Sequence, residues 1–253
     1  MTENTKFNAA ILIIGNEILS GRTQDTNTGT IAKWLNSIGV TVNEVRVIPD
    51  IESTIVETVN HLRKINNYVF TTGGIGPTHD DITAECVARA FDVDLIQDQT
   101  IAERIQQRPA PEEIMESRLL MARVPKGATL IDNPTGGPQG FVMHNVYVMA
   151  GIPRIMQGML STLAGQLKTG PVVKSRSIRA YLGESEISKT LGAIQAQFLE
   201  LDIGSYPFAH EQRYGTTLVI RGIDQAAIES AAQAIMAAVS AAGQTPEDLG
   251  PGQ

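Results

Sequence analysis

The sequence predicts an α/β protein: a three-layer α/β/α domain on a mostly parallel sheet, followed by a small second α/β domain. Three observations lead there. Short apolar runs of strand length alternate with segments whose apolar residues recur at helical spacing, and such alternation implies parallel strands joined by right-handed crossovers. The first run, "AAILIIG", is apolar without interruption, as expected of a strand covered on both faces. The break "KTGPVV" then sets the alternating region apart from the remainder, which has its own strands and helices.

Taken in order, Ala9 to Gly15 is the first strand, and "TNTGTIAKWLNSIG" is a helix with Ile31, Trp34, Leu35 and Ile38 on one face, stopped by Gly39. "VTVNEVRVI" is the second strand. The helix "DIESTIVETVNHLRKI" opens on Asp50 as its cap and places Ile51, Ile55, Val59 and Leu62 together. "YVFTT" is the third strand and "DDITAECVARAF" the next helix. From Gln97 to Ala122 the pattern is helical but interrupted by Pro109 and Pro111. "GFVMH" and "VYVMA" are strands meeting at a tight turn at His144 and Asn145, and "PRIMQGMLSTLAGQL" is a helix with Pro153 in its first turn. Beyond the break come a strand (Lys174 to Leu182), a helix (Glu184 to Leu199), strands at Asp202 to Tyr206 and Thr216 to Gly222, and a helix (Gln225 to Ala241). The expected domains are 1–170 and 171–245, with 246–253 a frayed tail.

Composition narrows the function. A net charge of −7 argues against a broad nucleic-acid footprint, which needs clustered Lys and Arg. The single cysteine, Cys86, forms no internal disulfide; the N-terminus lacks the features of a signal peptide, and its apolar run is too short to span a bilayer. A cytoplasmic protein without membrane or nucleic-acid partners is the expectation. Neither a zinc-ligand spacing, a Walker loop nor a G-x-S-x-G elbow is present.

Ligands of open α/β sheets bind beyond the carboxyl ends of the strands, which directs attention to "GNEILSGRTQDTN", "PDIE", "GGIGPTHDD" and "NPTGGPQGF". Gly73, Gly74 and Gly76 let backbone N–H groups approach a phosphate, and the following helix start favours an anion. Glu17, Asp50, Asp80 and Asp81 fall at the same edge. Carboxylates around a phosphate cradle repel the ligand unless a cation lies between them, and Mg²⁺ held by one or two carboxylates plus phosphate oxygens resolves that conflict. Simple turn glycines, with Asp50 and Asp80 or Asp81 as helix caps, are the alternative. Arg22, Thr23, Lys126 and His79 are further candidates for phosphate contact, and Gly136, Gly137 and Gly140 offer a second surface of close approach.

The segments "IGNEILSGRTQDTNT", "TTGGIGPTHDDIT", "RVPKGATLIDNPTGGPQGF" and "VMAGIPRIMQGM" resemble the N-terminal domain of the competence/damage-inducible protein A (CinA) group. That group is a branch of the MoaB/Mog-type molybdopterin-binding superfamily. The resemblance implies a homo-oligomer that binds a pterin or a nucleotide diphosphate and hydrolyses ADP-ribose- or FAD-like linkages with a divalent metal (Mg, Mn or Co). In the sister branch, the related chemistry is adenylyl transfer to molybdopterin; a protein that only binds is the third reading. Carried over by position, Asp50 and Asp81 are the metal ligands, Glu17 a further ligand or water-orienting base, and Gly15, Gly73, Gly74, Gly76, Thr78, Gly136 and Gly140 the substrate contacts. Full-length members carry a further deamidase domain beyond the span of this sequence, so that activity is not expected of it. The family's "GTAPGF" is here "GGPQGF", and Ile155 replaces a usual glutamate. The second half resembles a KH-type module without its G-x-x-G clamp.

Overall fold

The computed structural model describes residues 6–210 and 213–252. Residues 1–5, on which the reading of the N-terminus partly rests, lie outside them. The chain divides into two compact units, Met1–Gly170 and Pro171–Gln253.

The first unit runs β1 (Phe7–Ile14), α1 (Asn16–Leu19), α2 (Asn27–Ser37), β2 (Val40–Ile48), α3 (Glu52–Ile65), β3 (Tyr68–Thr72), α4 (Thr83–Ala90), β4 (Leu95–Gln97), α5 (Gln99–Gln106), α6 (Glu112–Leu119), β5 (Arg123–Pro125), β6 (Thr129–Ile131), β7 (Gly140–Met143), β8 (Val146–Met149) and α7 (Pro153–Thr162). The main sheet has the order β2-β1-β3-β8-β7-β6. The β2-β1, β1-β3 and β3-β8 pairs are parallel, whereas β7 is antiparallel to both neighbours, so it alone runs against the others. The β7–β8 hairpin turns at His144, whose φ is 54°.

The apolar run of β1 explains the three layers. Its side chains alternate across the sheet. Ala10, Leu12 and Ile14 join a core with Ile55, Val59 and Leu62 of α3 and Cys86 and Val87 of α4. Ala9, Ile11 and Ile13 join another with Ile31 and Leu35 of α2 and Met156, Met159 and Leu160 of α7. A strand with both faces covered has no solvent side, so no polar alternation survives in its sequence.

Several short elements depart from expectation. Residues 95–97 and 123–125 form a small antiparallel pair, and β6 adds a sixth strand to the main sheet. With only three residues each, they carry too little periodicity to read.

The second unit comprises β9 (Lys174–Ala180), α8 (Glu184–Gln195), β10 (Asp202–His210), β11 (Arg213–Gly222), α9 (Gln225–Ala241) and β12 (Glu247–Pro251), with sheet order β10-β11-β9-β12. The β10–β11 hairpin is longer than expected. The expected tail at 246–253 is corrected: β12 pairs antiparallel with β9. Arg176 reaches across that pairing to Asp248 and also contacts Glu229 of α9. This ion-pair clasp holds an otherwise polar terminal strand. No helix among the described residues is long and apolar enough to cross a membrane.

Candidate functional site

Five strands of the main sheet share one direction, and loops at their carboxyl ends carry the sequence-predicted residues. Gly15 and Glu17 follow β1, Asp50 follows β2, Gly73 to Asp81 follow β3, and the loop from β6 to β7 contains Gly136 and ends at Gly140. The strand order reverses between β1 and β3, where doubly wound sheets place their ligands. A crevice opens there, lined by Ile14, Glu17, Asn27, Thr72, Gly73 and Gly151 among others.

Gly73 is fixed by backbone contact. At φ 103°, it donates its N–H to the Met149 carbonyl at 3.2 Å, and a Cβ at this position would overlap the Ile14 carbonyl oxygen. It therefore makes the turn possible but has already committed its donor to the sheet. The N–H groups of Gly74, Ile75 and Gly76 have no partner among the described residues and stay open as donors. Gly74 also packs where a side chain would meet Thr83, and Gly76 packs against the Asp81 carboxylate. Gly15 donates to the Ile48 carbonyl at 3.1 Å, while the Glu17 carboxylate folds back over it.

The carboxylates are held by the loops. Asp81 Oδ2 accepts the Thr78 N–H at 2.9 Å and also faces the Thr78 hydroxyl, which lies 2.6 Å from Asp80 Oδ1. One hydroxyl proton serves one of these oxygens at a time, so the two carboxylates share a donor. That hydroxyl contact, followed by Asp80's own N–H, holds the exposed Asp80 below its ordinary carboxylate value. Thr78, expected to face substrate, instead spends both its donors orienting acids. Asp50 Oδ2 accepts the Asn16 N–H at 2.8 Å. The capping expectations are corrected: Ile51 occupies the cap position of α3 and Ile82 that of α4, without side-chain cap bonds.

No three His, Cys, Asp or Glu side chains converge into a metal cage among the described residues. The expected gathering of Glu17, Asp50 and Asp81 around one cradle is thereby reduced to separate carboxylates. The sheet supplies the reason, since β1 lies between β2 and β3 and neighbouring strands are about 4.8 Å apart, separating the two loop origins by roughly 10 Å. Each aspartate nevertheless keeps Oδ1 without a hydrogen-bond partner.

Gly140 is also corrected. It is buried in β7, where a Cβ would overlap the Val148 carbonyl oxygen and stand 3.3 Å from Met159 Sδ, so its smallness serves strand packing. Gly136 remains exposed in the loop at φ 77°. Lys126 pairs with Asp94 at 3.4 Å, Thr23 lines the β1–β3 crevice, and Arg22 and His79 are exposed. Ile155 packs half-buried against the core shared with α2, leaving no carboxylate at that position.

Two residues at this edge take roles that the sequence did not assign them: Asn27, expected only as a cap of the first helix, and Gln139. Asn27 is 5% exposed and donates to the Gly151 carbonyl at 2.8 Å and more weakly to Thr72 Oγ1, tying α2 to the ends of β3 and β8; Asp25 accepts the Asn27 N–H. Asn27 Oδ1 has no partner. Gln139, 8% exposed, lines a small crevice with Gly76 and Asp81, and its Oε1 is likewise unpartnered.

Residues 10–169 match the family described as "Probable molybdopterin binding domain". The chain belongs to the CinA N-terminal group of that molybdopterin-binding-domain family. A CinA-like protein of Gemmatimonas aurantiaca is 31% identical over 199 residues, 73% of this chain and 46% of that one, so the match spans about half of the relative. An Archaeoglobus fulgidus protein is 33% identical over 201 residues, covering 78% of this chain and 84% of its own length. The crystal structure of CinA from Thermoplasma acidophilum, itself of unknown function, superposes with a TM-score of 0.57 at 31% identity, covering 63% of this chain and 98% of that one. Residues 172–248 match the family "FAD synthase, middle domain". In this molybdopterin-binding-domain chain, the cradle, both aspartates and Glu17 fall within the first matched segment.

Proposed function

We propose that the protein is a metal-dependent pyrophosphatase that cleaves the diphosphate linkage of a nucleotide such as ADP-ribose or FAD. The observation carrying this reading is the Asp81 carboxylate, oriented through Oδ2 by Thr78 with Oδ1 free, beside the unpartnered N–H groups of Gly74, Ile75 and Gly76. The match of the second unit to a FAD synthase domain supports a flavin or adenine dinucleotide as the substrate class.

Hard carboxylate oxygens fit Mg²⁺ or Mn²⁺, which take one or two protein carboxylates and complete their shell with phosphate and water; Asp81 and Asp50, standing apart, would each offer a free Oδ1 to such an ion. When bound, such an ion polarises a phosphoryl oxygen and acidifies water. The chain's own groups supply the rest. The three cradle N–H groups donate to non-bridging phosphate oxygens, stabilising the charge that builds there. Glu17, facing the crevice beside Gly73, accepts a proton from the attacking water. Water adds to one phosphorus, the bridging P–O bond breaks, and two phosphomonoesters leave, one of them AMP for either substrate.

Incubation with ADP-ribose and FAD in the presence of Mg²⁺, Mn²⁺ or Co²⁺, followed by chromatography for AMP, tests the reading. AMP is expected, and none with any metal overturns the proposal. The family description favours one second reading, adenylyl transfer to molybdopterin, which requires pterin-dependent consumption of ATP. Ligand binding without turnover would leave the third, purely binding, role. A cytoplasmic homo-oligomer accompanies the proposal, with sedimentation as the check on assembly.

A further inference from the structure

A sizeable cavity lies beside the β6–β7 loop, away from the β1–β3 crevice. It measures about 640 Å³, within the range of small-molecule sites. Arg104, Arg108 and Arg118 line it together with Asp132, a local balance of three positive charges against one negative in a chain whose net charge is −7. Such a concentration calls for an anionic occupant.

The arginines differ in how they are held. Arg104 pairs with Asp132 at 3.2 Å, and Arg118 donates to the Arg108 carbonyl at 3.1 Å. The Arg108 guanidinium has no hydrogen-bond or ion-pair partner among the described residues. It rests against the loop, since a Cβ on Gly136 would stand 3.2 Å from Arg108 Nη2. The facing wall is braced by Asn133, 2% exposed, which donates to the Pro138 carbonyl at 2.9 Å and accepts from Thr135 N–H at 3.1 Å and Thr135 hydroxyl at 2.6 Å. Ile105, Met121, Pro134 and Pro138 give the same cavity an apolar surface. Met121 continues into the crevice containing Gly76, Asp81 and the unpartnered Gln139 carboxamide.

We propose that this cavity is a phosphomonoester site: Arg108 and Arg118 grip the phosphate of a nucleotide-sized compound whose organic body lies against Met121 and the prolines. Guanidinium groups present paired N–H donors that match phosphate oxygens, and a net charge of +2 balances a dianionic phosphate. The site stands independently of catalysis. Under the pyrophosphatase reading it receives the nucleoside monophosphate half of the substrate, with the shared Met121 wall connecting it to Asp81.

Calorimetry in EDTA tests this directly, with AMP and FMN compared against adenosine and riboflavin. Both phosphorylated compounds should bind at least tenfold more tightly than their unphosphorylated counterparts. Arg108→Gln and Arg118→Gln should each abolish most of that difference, whereas Lys126→Gln, at a residue that pairs with Asp94 and does not line the cavity, keeps it. Because Arg108 has no partner to lose, its variant should fold normally, and it decides the question even if Arg118→Gln is unstable. Equal affinity for AMP and adenosine, or unchanged AMP affinity in folded Arg108→Gln, overturns the proposal. Arginine-dependent AMP binding without any AMP release from ADP-ribose or FAD would remove the hydrolase reading and leave this site intact.

Discussion

The Thr78 hydroxyl stands between two carboxylates, 2.6 Å from Asp80 Oδ1 and in close contact with Asp81 Oδ2, while the Thr78 N–H is already given to Asp81. The residue orients the acid proposed to face the metal. Thr78→Val should therefore weaken Mn²⁺ affinity or metal-dependent turnover about 10- to 100-fold, with Thr78→Ser close to wild type. A Mn²⁺ titration of both variants checks it, and a valine variant that behaves like wild type would remove this role.

Gly73 and Gly21 provide a matched pair. Both have positive φ, 103° and 72°, but a Cβ at Gly73 meets the Ile14 carbonyl whereas at Gly21 nothing lies within 4 Å. Gly73→Ala should cost at least about 2 kcal/mol, and Gly21→Ala about 1 kcal/mol from backbone strain alone. Urea unfolding midpoints separate the two; equal losses would mean that the close approach to Ile14 adds nothing.

Asn27 joins α2 to the edge of the sheet. Replacing it with alanine leaves the Gly151 carbonyl without its 2.8 Å donor in a partly buried place, which should cost about 1–3 kcal/mol. The same change loosens the β1–β3 crevice, so ligand affinity should fall along with thermal stability. Unaltered stability in chemical denaturation would show that water replaces the lost donor without penalty.

Burial, reinforced by Glu52 and Glu85, pushes the Cys86 thiol from 9.0 up to about 12. The folded state therefore holds its proton more tightly than the unfolded state. This contribution is complete below pH 9 and is lost as pH rises toward 12. Wild type should lose stability more steeply than Cys86→Ala across that window, and the native thiol should resist thiol reagents at pH 8 until the protein is unfolded. Parallel stability curves for the two proteins would refute the assignment.

The terminal strand supplies a fifth expectation. Arg176, through its hydrogen bond, holds Asp248 below the ordinary carboxylate value, so this contact stabilises above that range and is lost as pH falls and Asp248 is protonated in the fold. Removing residues 246–253 should lower the thermal midpoint and make the exposed β9 edge sensitive to protease. An unchanged midpoint would return the segment to the status of a tail.

Long, apolar elements were legible because their patterns are local. β1 announced its two-sided burial, and Ile55, Val59 and Leu62 marked the buried face of α3. The three-residue strands and polar β12 were not, because pairing partners far along the chain stabilise them. The glycine-rich loops lie at the sheet edge where the sequence placed them, but what each residue does there was not legible. Gly73 and Gly140 read as ligand contacts, yet packed carbonyl oxygens account for both. Arg104, Arg108 and Arg118 lie in a segment notable in sequence only for its prolines, and folding brings them to one cavity.

By itself, then, the sequence determined the alternating α/β architecture and placed glycines and acids at the same strand ends, since hydrophobic periodicity and turn chemistry act over a few residues. Only tertiary structure decided that Asp50 answers Asn16, that Asn27 reaches the Gly151 carbonyl, and that β12 closes onto β9. Hydrogen bonds and close contacts need atoms within a few ångströms, and residues distant in the chain reach that separation only when the sheet and its covering helices have formed.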